Sequence, residues 1–410
     1  MRDEMKKVPR LRFRGFSEDW ELCKLGEESD VRDGTHDSPK YFDDGYPLVT
    51  SKNLKDFGLD LSDVSLISYK DFKSINKRSK VDIGDILFGM IGTIGNPVQI
   101  FRDDFAIKNV ALIKEQRKIL NGFLIHILKS PVFDRYIRNE NAGGTQKFLA
   151  LSKVRGFEFL RPNIEEQVRI GNLFKQIDNT ITLHQRKLEQ LKELKKAYLQ
   201  LMFPKKDEIV PRMRFADFEG EWEQCKLKNL FLKGGSGGTP TSSNSDYYNG
   251  DIPFLSISDI TKSNGYIYTT EKCISLEGLK NSSAWIVPKE SISLAMYASV
   301  GKVAILKLDI ATSQAFYNMI FEDINTRNYI YHYLIKKEVF NEWITLISTG
   351  TQANLNADKV KNTFVLIPSN NEQKKIAELL RCIEVSIDIQ QEKIHILKSL
   401  KKSYLQNMFI

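Results

Sequence analysis

Residues 165–203 read EEQVRIGNLFKQIDNTITLHQRKLEQLKELKKAYLQLMF, and their apolar positions recur in steps of four and three. From Ile170 to Met202 this spacing is that of a coiled-coil helix, and it predicts one long helix. Asn163 and Glu166 stand at the spacing of a capping box, which predicts where the helix begins. Pro204 is expected to end it, because proline lacks the amide hydrogen that the next turn would use.

The same pattern occurs a second time, displaced by 206 positions, as from Ile170 to Ile376. Pro368 precedes the second copy, and Ser369 and Glu372 repeat the capping spacing. The match indicates an internal duplication and therefore two similar halves. The residues expected to pack the two spacer helices together are Ile170, Phe174, Ile177, Ile181, His184, Leu188, Leu191 and Tyr198 in the first helix and Ile376, Leu380, Ile383, Ile387, Gln390, Ile394, Leu397 and Tyr404 in the second.

The two helices are predicted to pair in opposite directions. A head-to-tail repeat would expose the second apolar seam to water, whereas an antiparallel pair buries both seams. Each helix, of about 38 residues, would be roughly 57 Å long at 1.5 Å per residue. The predicted pseudo-twofold axis passes near His184 and Gln390, and it would bring Ile170 beside Tyr404. A contact between His184 and Gln390 would fix the register, unless both side chains are simply partly solvated.

The remainder of each half predicts a mixed domain of short strands and helices. The segment from Val8 to Leu25 is repeated from Val210 to Leu227, so both halves open in the same way. The predicted fold class is α+β, with two mixed α/β domains separated by a pair of long antiparallel coiled-coil helices. The predicted boundaries are 1–160 for the first domain, 161–203 for the first spacer helix, 204–209 for a linker, 210–366 for the second domain and 367–410 for the second spacer helix.

Composition limits the possible partners and compartments. The 410 residues, 41% of them hydrophobic, allow two or three domains. The net charge of +8 and the pI near 9.0 favour an anionic partner such as nucleic acid, although so modest an excess is also common in proteins that bind none. Four cysteines lack the spacing of a metal or redox site, which fits a reduced cytosolic compartment. Residues 1–10 lack a signal-peptide pattern, and no stretch is apolar enough to span a membrane. A cytoplasmic location is therefore expected.

The sequence shows no recognisable catalytic motif. Gly301 and Lys302 are followed by Val303, without the glycine spacing and hydroxyl of a phosphate-binding loop. The five histidines are scattered without metal-ligand or nucleophile-base spacing. We therefore predict no catalytic residue, no metal site and no cofactor in this chain, and a reader or scaffold whose chemistry is done by partners.

Several motifs together resemble one known family, the specificity subunit of type I restriction-modification systems. They are the opening phrase Pro9 to Leu25 with its copy Pro211 to Leu227, the passage from Asp33-Gly34-Thr35-His36 to Asn53, the strand Gly84-Asp85-Ile86-Leu87, and the helix openings Glu166-Gln167 and Glu372-Gln373. The resemblance covers nearly the whole chain. Glu290 and Ser291 replace Gly84 and Asp85 in the second half, a departure that predicts a different recognition loop.

The resemblance implies two target recognition domains, each reading one half of a bipartite site on double-stranded DNA. It also implies two docked methyltransferase (modification) subunits, which would use S-adenosylmethionine to modify adenine. Restriction motor-nuclease subunits would use ATP and magnesium. This chain itself would be a non-catalytic subunit.

Candidate DNA contacts are polar residues at repeat-equivalent strand ends and loops. Asn and Gln pair bidentately with adenine, and Lys binds guanine or phosphate. The basic residues near position 78 attract the DNA backbone or form only a solvated surface, and the two Gly-Thr-Gln motifs contact DNA or only shape a turn. The candidates are Lys52, Asn53, Lys77, Arg78, Lys80, Lys108, Asn109, Gln146, Lys147, Ser258, Asp259, Ser313, Gln314, Gln352 and Asn354.

Two other functions are compatible with these residues. A single-chain modification methyltransferase with a cryptic active site would transfer methyl groups unaided, and the missing cofactor loop argues against it. A coiled-coil scaffold that binds no DNA would show no salt-dependent binding to duplexes, even with all partners present.

Overall fold

The chain forms two compact units in a computed structural model that describes residues 7–55, 58–92, 94–116, 118–140, 148–205, 207–346, 348–349 and 353–410. Unit 1 comprises Met1–Gln185 and Glu392–Ile410, and unit 2 comprises Arg186–Gln391. Both divisions fall inside the long helices, so each helix contributes one half to each unit. No helix in these ranges is long and apolar enough to cross a membrane.

Unit 1 contains short strands, short helices and the first half of a long helix. Its strands are β1 Glu21–Lys24, β2 Asp30–Asp33, β3 Tyr41–Phe42, β4 Tyr46–Val49, β5 Leu54–Lys55, β6 Gly58–Leu59, β7 Ser65–Ile67, β8 Ile86–Gly89, β9 Gly95–Gln99, β10 Ala106–Ile107, β11 Val110–Lys114 and β12 Glu158–Arg161. Its helices are α1 Leu25–Glu28, α2 Tyr69–Ser79, α3 Asn121–Ile127, α4 Pro131–Glu140, α5 Leu151–Arg155 and the start of α6 Ile164–Leu201, with a 3-10 turn at Ser51–Asn53.

Unit 2 repeats this plan. Its strands are β13 Glu223–Lys226, β14 Lys233–Ser236, β15 Ile252–Leu255, β16 Tyr266–Ile267, β17 Lys272–Ile274, β18 Ile286–Val287, β19 Ile292–Ala295, β20 Val303–Leu306, β21 Ile310–Thr312, β22 Phe316–Ile320, β23 Ser348–Thr349, β24 Ala353–Asn354 and β25 Phe364–Ile367. Its helices are α7 Ile257–Lys262, α8 Leu276–Lys280, α9 Ile324–Val339, α10 Ala357–Lys361 and the start of α11 Asn370–Asn407, with 3-10 turns at Leu227–Asn229, Ser245–Tyr248 and Glu342–Leu346.

The sheets of the two units share a common core of strands and differ at their edges. In unit 1 the strand orders are β2-β11-β8-β9 and β10-β4-β7-β3, and in unit 2 they are β14-β22-β19-β20-β16 and β17-β15-β21-β18. In both units one strand of the second sheet is parallel to its neighbour, β10 to β4 and β21 to β15. The predicted α+β fold with an internal duplication is confirmed.

Each repeated opening phrase is attached to the helix that follows its own domain. β1 pairs with β12, the strand directly before α6. In the same way β13 pairs with β25, the strand directly before α11. Arg12 donates two hydrogen bonds of 2.8 Å to the buried carboxylate of Glu166. Arg214 makes the same bidentate contact with Glu372, at 2.7 and 2.8 Å. The basic and aromatic opening therefore serves to join the two ends of a domain.

These ion pairs correct the predicted capping boxes. Asn163 Oδ1 accepts a hydrogen bond from the backbone amide of Glu166 at 2.9 Å, which is half of the expected arrangement. The Glu166 side chain contacts Arg12 instead of returning to the Asn163 amide. A charged partner outcompetes a neutral amide because charge-assisted hydrogen bonds are roughly twice as strong.

The predicted apolar seam is buried along both long helices. Ile170, Phe174, Ile376 and Leu380 are at most 2% exposed. Ile177, Ile181, Ile383 and Ile394 are at most 8% exposed. The other predicted seam positions are half-buried: His184, Leu188, Leu191, Tyr198, Ile387, Gln390, Leu397 and Tyr404. The contact predicted between His184 and Gln390 stays a prediction.

The two long helices run in opposite directions. Within unit 1, the Phe174 ring near the start of α6 lies 5.8 Å from the Phe409 ring just beyond the end of α11. Lys401 Nζ also lies 2.5 Å from Asp178 Oδ1 in this unit. Within unit 2, Lys195 Nζ near the end of α6 lies 2.9 Å from Glu384 Oε1 near the start of α11.

Helix α6 ends at Leu201, before the predicted stop at Pro204. Met202 and Phe203 leave the helix and are 2% and 1% exposed, packed in the core of unit 2 with Trp222 and Tyr329. Burial of these two side chains, together with the proline, determines where the helix stops.

Candidate nucleic-acid interface

Two loops of unit 1 meet at the ends of neighbouring strands. The turn after β2 lies against the β10–β11 junction: Thr35 N donates to Ile107 O at 3.0 Å, and Asn109 N donates to Thr35 O at 3.1 Å. A Cβ on Gly34 would lie 2.4 Å from Ile107 O, so only glycine permits this approach. We name Gly34–His36 with Lys108 and Asn109 strand-end cluster 1.

The side chains of cluster 1 form a polar network at the surface. His36 Nδ1 lies 2.8 Å from Asn109 Oδ1, and His36 Nε2 lies 3.0 Å from Asp33 Oδ2. Arg78, at the end of α2, donates to the other oxygen of Asp33. The contacts with Asn109 and Asp33 raise the pKa of His36. Lys108 Nζ donates to Ser38 Oγ at 2.6 Å.

Unit 2 builds the equivalent junction with different side chains. Gly238 N donates to Thr312 O at 2.9 Å, and a Cβ on Gly237 would lie 1.9 Å from the same oxygen. Thr239 Oγ1 donates to Oε1 of the exposed Gln314 at 2.5 Å. We name Gly237–Thr239 with Ser313 and Gln314 strand-end cluster 2.

A buried polar network supports cluster 2 from below. Asn318 and Thr312 are both 0% exposed, and Asn318 Nδ2 donates to Thr312 Oγ1 at 2.7 Å. Asn318 Oδ1 accepts a hydrogen bond from Ser293 Oγ at 2.6 Å. Because both partners of each bond are fixed in strands, the loops above them rest on a rigid base.

Gly237→Ala is expected to destabilise unit 2 by about 1–3 kcal/mol, the usual cost of overpacking. The new methyl group would collide with a backbone oxygen, which no rotamer change relieves. Urea unfolding followed by tryptophan fluorescence measures the loss. Gly235→Ala is the matched control, since its Cβ meets nothing closer than Trp285 at 3.8 Å. Equal stability of the two variants would contradict the close approach.

Two of the selected candidates serve the fold instead of facing DNA. Asn53 is 2% exposed, and its Oδ1 accepts hydrogen bonds from Thr50 N at 3.0 Å and Thr50 Oγ1 at 3.1 Å. Asp259, its repeat equivalent, is 8% exposed and receives the same contacts from Ser256 N and Oγ at 2.8 and 2.6 Å. Both are the third residue of a capping box, so their polarity satisfies local backbone groups.

The neighbours of these two residues are more accessible. Lys52 is exposed, with Nζ 3.3 Å from Asp63 Oδ2, and Ser258 is half-buried in the first turn of α7. Lys77 and Arg78 are exposed at the end of α2. Arg78 donates to Asp33, the carboxylate that also contacts His36 of cluster 1. Lys80 Nζ pairs with Asp82 Oδ1 at 3.3 Å.

The remaining candidates divide between the described and undescribed parts of the chain. Ser313 and Gln314 lie in cluster 2, and Lys108 and Asn109 lie in cluster 1. Asn354 belongs to β24, where it is paired with Ser348 of β23. Gln146, Lys147 and Gln352 lie outside the described residues.

Sequence reasoning missed the partners of the Asn109 and Gln314 amides. His36 and Thr239 stand in repeat-equivalent polar turns, and neither was selected as a contact residue. The sequence did contain a pattern that could have indicated them: in both turns a glycine is followed closely by a side chain with a hydrogen-bonding group. Only the fold brings each turn to a strand end some 75 residues away.

The departure at Glu290 and Ser291 lies in the turn directly before β19. Gly84 has φ 100° and Glu290 has φ 68°, so both occupy the same left-handed position before a strand. Lys307 Nζ lies 2.9 Å from Glu290 Oε1, and Arg327 pairs with the other oxygen. In unit 1 the corresponding turn uses Asp85, 2.8 Å from Lys114 Nζ. This turn therefore exchanges one internal ion pair for another, and the expectation of a different recognition loop here stays a prediction.

Within the described ranges, no group of three or more His, Cys, Asp or Glu side chains is placed to hold a metal ion. The thiol of Cys23 is half-buried, and burial raises its pKa to about 12. This cysteine therefore stays protonated and unreactive at neutral pH.

Two units of one architecture, each with a side-chain amide at a strand-end junction, define a class of twin-domain recognition proteins. The sequence profile of the "Type I restriction modification DNA specificity domain" matches residues 17–193 and 219–399. The chain belongs to this family, as a specificity subunit with two recognition domains.

Known members show how far the similarity extends. The type I restriction enzyme MjaIX specificity subunit of Methanocaldococcus jannaschii is 33% identical over 193 residues, covering 46% of this chain and 44% of that protein. The putative type I restriction enzyme MjaX specificity subunit of the same organism is 24% identical over 408 residues, covering 94% of this chain and 92% of that protein.

Solved structures share the fold. The S subunit of a type I restriction-modification system from M. genitalium matches with a TM-score of 0.61 and 13% identity, covering 98% of this chain and 99% of that one. A chain from a study of complex assembly and conformational transition of the type I system matches with a TM-score of 0.57 and 18% identity, covering 94% and 96% of the two chains.

Proposed function

We propose that the chain reads an asymmetric two-part site on double-stranded DNA, with strand-end cluster 1 contacting one half and strand-end cluster 2 the other. Membership of a DNA specificity family supports the proposal. The observation that carries it is the pair of different amides, Asn109 and Gln314, at corresponding strand junctions of the two units. Corresponding junctions that carry unequal side chains suit unequal half-site sequences, because base edges are read by side-chain donors and acceptors.

The proposal includes partner subunits that perform the chemistry. Two methyltransferase subunits would dock on the chain and modify adenine with S-adenosylmethionine, and restriction motor-nuclease subunits would use ATP and magnesium. The similar subunits named above belong to type I restriction enzymes, which supports such partners. In this arrangement the chain works in the cytoplasm and supplies sequence specificity only.

Replacing the amides of Asn109 and Gln314 should relax one half-site at a time. Asn109→Gly removes the side chain and tolerates φ 57°, whereas alanine would be strained there. Gln314→Ala is the matched change in unit 2. Each is expected to lower discrimination at its own half-site by about tenfold to a hundredfold, since a bidentate contact contributes about 1–3 kcal/mol. The measurement is selection of bound duplexes from a randomised pool by the full chain with its modification subunits.

The two variants control for each other. Asn109→Gly should leave the second half-site as selective as before, and Gln314→Ala should leave the first unchanged. Affinity of the unmodified assembly should also fall steeply with added salt, as phosphate contacts require. An assembly without salt-dependent duplex binding, or two variants that relax both half-sites equally, would contradict the proposal.

A further inference from the structure

The imidazole of His36 bridges a carboxylate and an amide in cluster 1. Its Nε2 lies 3.0 Å from Asp33 Oδ2, and its Nδ1 lies 2.8 Å from Asn109 Oδ1. The side chain is 56% exposed, so it exchanges protons freely with water. Asn109 stands in a strand-end junction at φ 57°. Because the terminal torsion of an asparagine side chain is broad, rotation about it exchanges the atoms that the amide presents.

The chemistry of the two ring nitrogens links a proton to the orientation of the amide. An ionised carboxylate only accepts hydrogen bonds, so Asp33 requires a proton on Nε2. A neutral imidazole then has an acceptor at Nδ1, which matches the amide nitrogen of Asn109. A doubly protonated ring has a donor at Nδ1, which matches the amide oxygen, as the structure has it.

We propose that His36 is a positioning residue that selects which atom of the Asn109 amide is presented to a DNA base. The charged ring holds Oδ1 and turns the Nδ2 donor outward, whereas the neutral ring holds Nδ2 and turns the Oδ1 acceptor outward. This role rests on the DNA-reading function proposed above, and it adds a proton-dependent specificity determinant for the first half-site.

The surroundings of His36 favour the charged ring at mildly acidic pH. Asp33 from β2 faces it directly, Arg78 from α2 opposes the charge through its own pair with Asp33, and Lys108 turns its ammonium toward Ser38. The contacts with Asn109 and Asp33 prevail and raise the pKa of His36 above its ordinary value near 6.5. The ring therefore changes charge between mildly acidic and alkaline pH, a range that duplex DNA tolerates.

Cluster 2 holds its amide without a titratable group. Thr239 Oγ1 donates to Gln314 Oε1 at 2.5 Å, which leaves the Nε2 donor outward. A hydroxyl keeps its proton throughout the physiological range. The second half-site therefore supplies an internal control in the same molecule.

The two orientations favour different base edges in the major groove. An outward donor suits guanine, which presents only the acceptors N7 and O6, and an outward acceptor suits the amino groups of adenine and cytosine. Raising the pH should shift the first half-site, at one position, from acceptor-bearing toward donor-bearing bases.

The test uses the full chain with its modification subunits and a duplex pool randomised at both half-sites, selected at pH 6 and at pH 9. At one position of the first half-site, the ratio of acceptor-bearing to donor-bearing bases among the selected duplexes should change by about tenfold. One side-chain contact to a base can produce a change of this size. The second half-site should not change. His36→Gln should bind at both pH values with a first half-site preference that no longer depends on pH. Thr239→Val should relax only the second half-site.

The outcomes separate this inference from the proposed function. Loss of salt-dependent binding at every pH would overturn the proposed function itself. Two-part binding whose first half-site is independent of pH, or changes equally in His36→Gln, would overturn only the role of His36.

A measurement without DNA checks the same coupling. The side-chain amide resonances of Asn109, followed by NMR in the isolated full chain, should shift with the titration of His36 and stop shifting in His36→Gln. Those of Gln314 should stay constant. An Asn109 amide that does not respond to pH would also overturn the role of His36, because a residue that only holds the loop in place would give that result.

Discussion

Arg12→Ala should destabilise unit 1 by about 3–5 kcal/mol, the usual cost of breaking a buried ion pair from one side. The carboxylate of Glu166 is 0% exposed, and Arg12 donates both of its side-chain hydrogen bonds to that group. Without the guanidinium a buried charge would have lost its counter-charge. The free energy of unfolding, from urea titration of the full chain, measures the effect through Trp20, a buried reporter in unit 1.

Three variants define the origin of that loss. Arg10→Ala removes an exposed arginine two residues earlier and should change stability by less than about 0.5 kcal/mol. Replacing both Arg12 and Glu166 by methionine should recover most of the loss, because no buried charge remains. Arg214→Ala should destabilise unit 2 similarly, through Glu372. A loss below about 1 kcal/mol for Arg12→Ala would mean that water already solvates the pair.

Acid should destabilise unit 2 through His332, a buried histidine of α9. Burial lowers its pKa to about 4, against the opposing effect of Glu384, whose Oε1 lies 3.6 Å from His332 Nδ1. The folded state therefore prefers the neutral ring. This contribution is fully present above the unfolded pKa near 6.5 and is lost as the pH falls through 6.5 toward 4. At pH 5 the loss is about 2 kcal/mol relative to pH 7.

His332→Phe tests this assignment, because phenylalanine fills a similar volume and binds no proton. Between pH 7 and pH 5, the free energy of unfolding of unit 2 should fall less in this variant than in the unmodified chain. The difference between the two falls should be about 2 kcal/mol. Unit 1 provides the comparison: burial, reinforced by Lys401 and Lys129, also lowers the pKa of its equivalent His126. An unchanged pH dependence of unit 2 in His332→Phe would refute the assignment.

The repeat explains why these two predictions have counterparts in the other unit. Equivalent places are occupied by Arg12 and Arg214, and likewise by His126 and His332. The ion pair of Lys401 with Asp178 corresponds in the same way to the ion pair of Lys195 with Glu384. The residues that attach domains to helices are thus duplicated, whereas the amides of the two strand-end clusters differ. The side chains that we expect to carry stability are therefore separate from those proposed to carry specificity.

The candidate interface was predicted only in part. The selection from repeat-equivalent places included Lys108, Asn109, Ser313 and Gln314. In the structure all four lie at strand ends, where Gln314 is exposed and the other three are half-buried. Asn53 was selected by the same reasoning and is buried in a capping box. A polar residue that ends a strand satisfies either the backbone or a ligand, and the sequence pattern is the same in both cases.

By itself the sequence determined the duplication, the two long helices, their antiparallel pairing and the recognition family, because these depend on periodic apolar spacing repeated across 206 positions. Only the tertiary structure decided which polar side chains remain available to a ligand. Hydrogen bonds between segments far apart in the chain, such as Arg12 with Glu166 and His36 with Asn109, consume or orient these groups. Such pairings depend on how strands and loops meet in space, which no local spacing encodes.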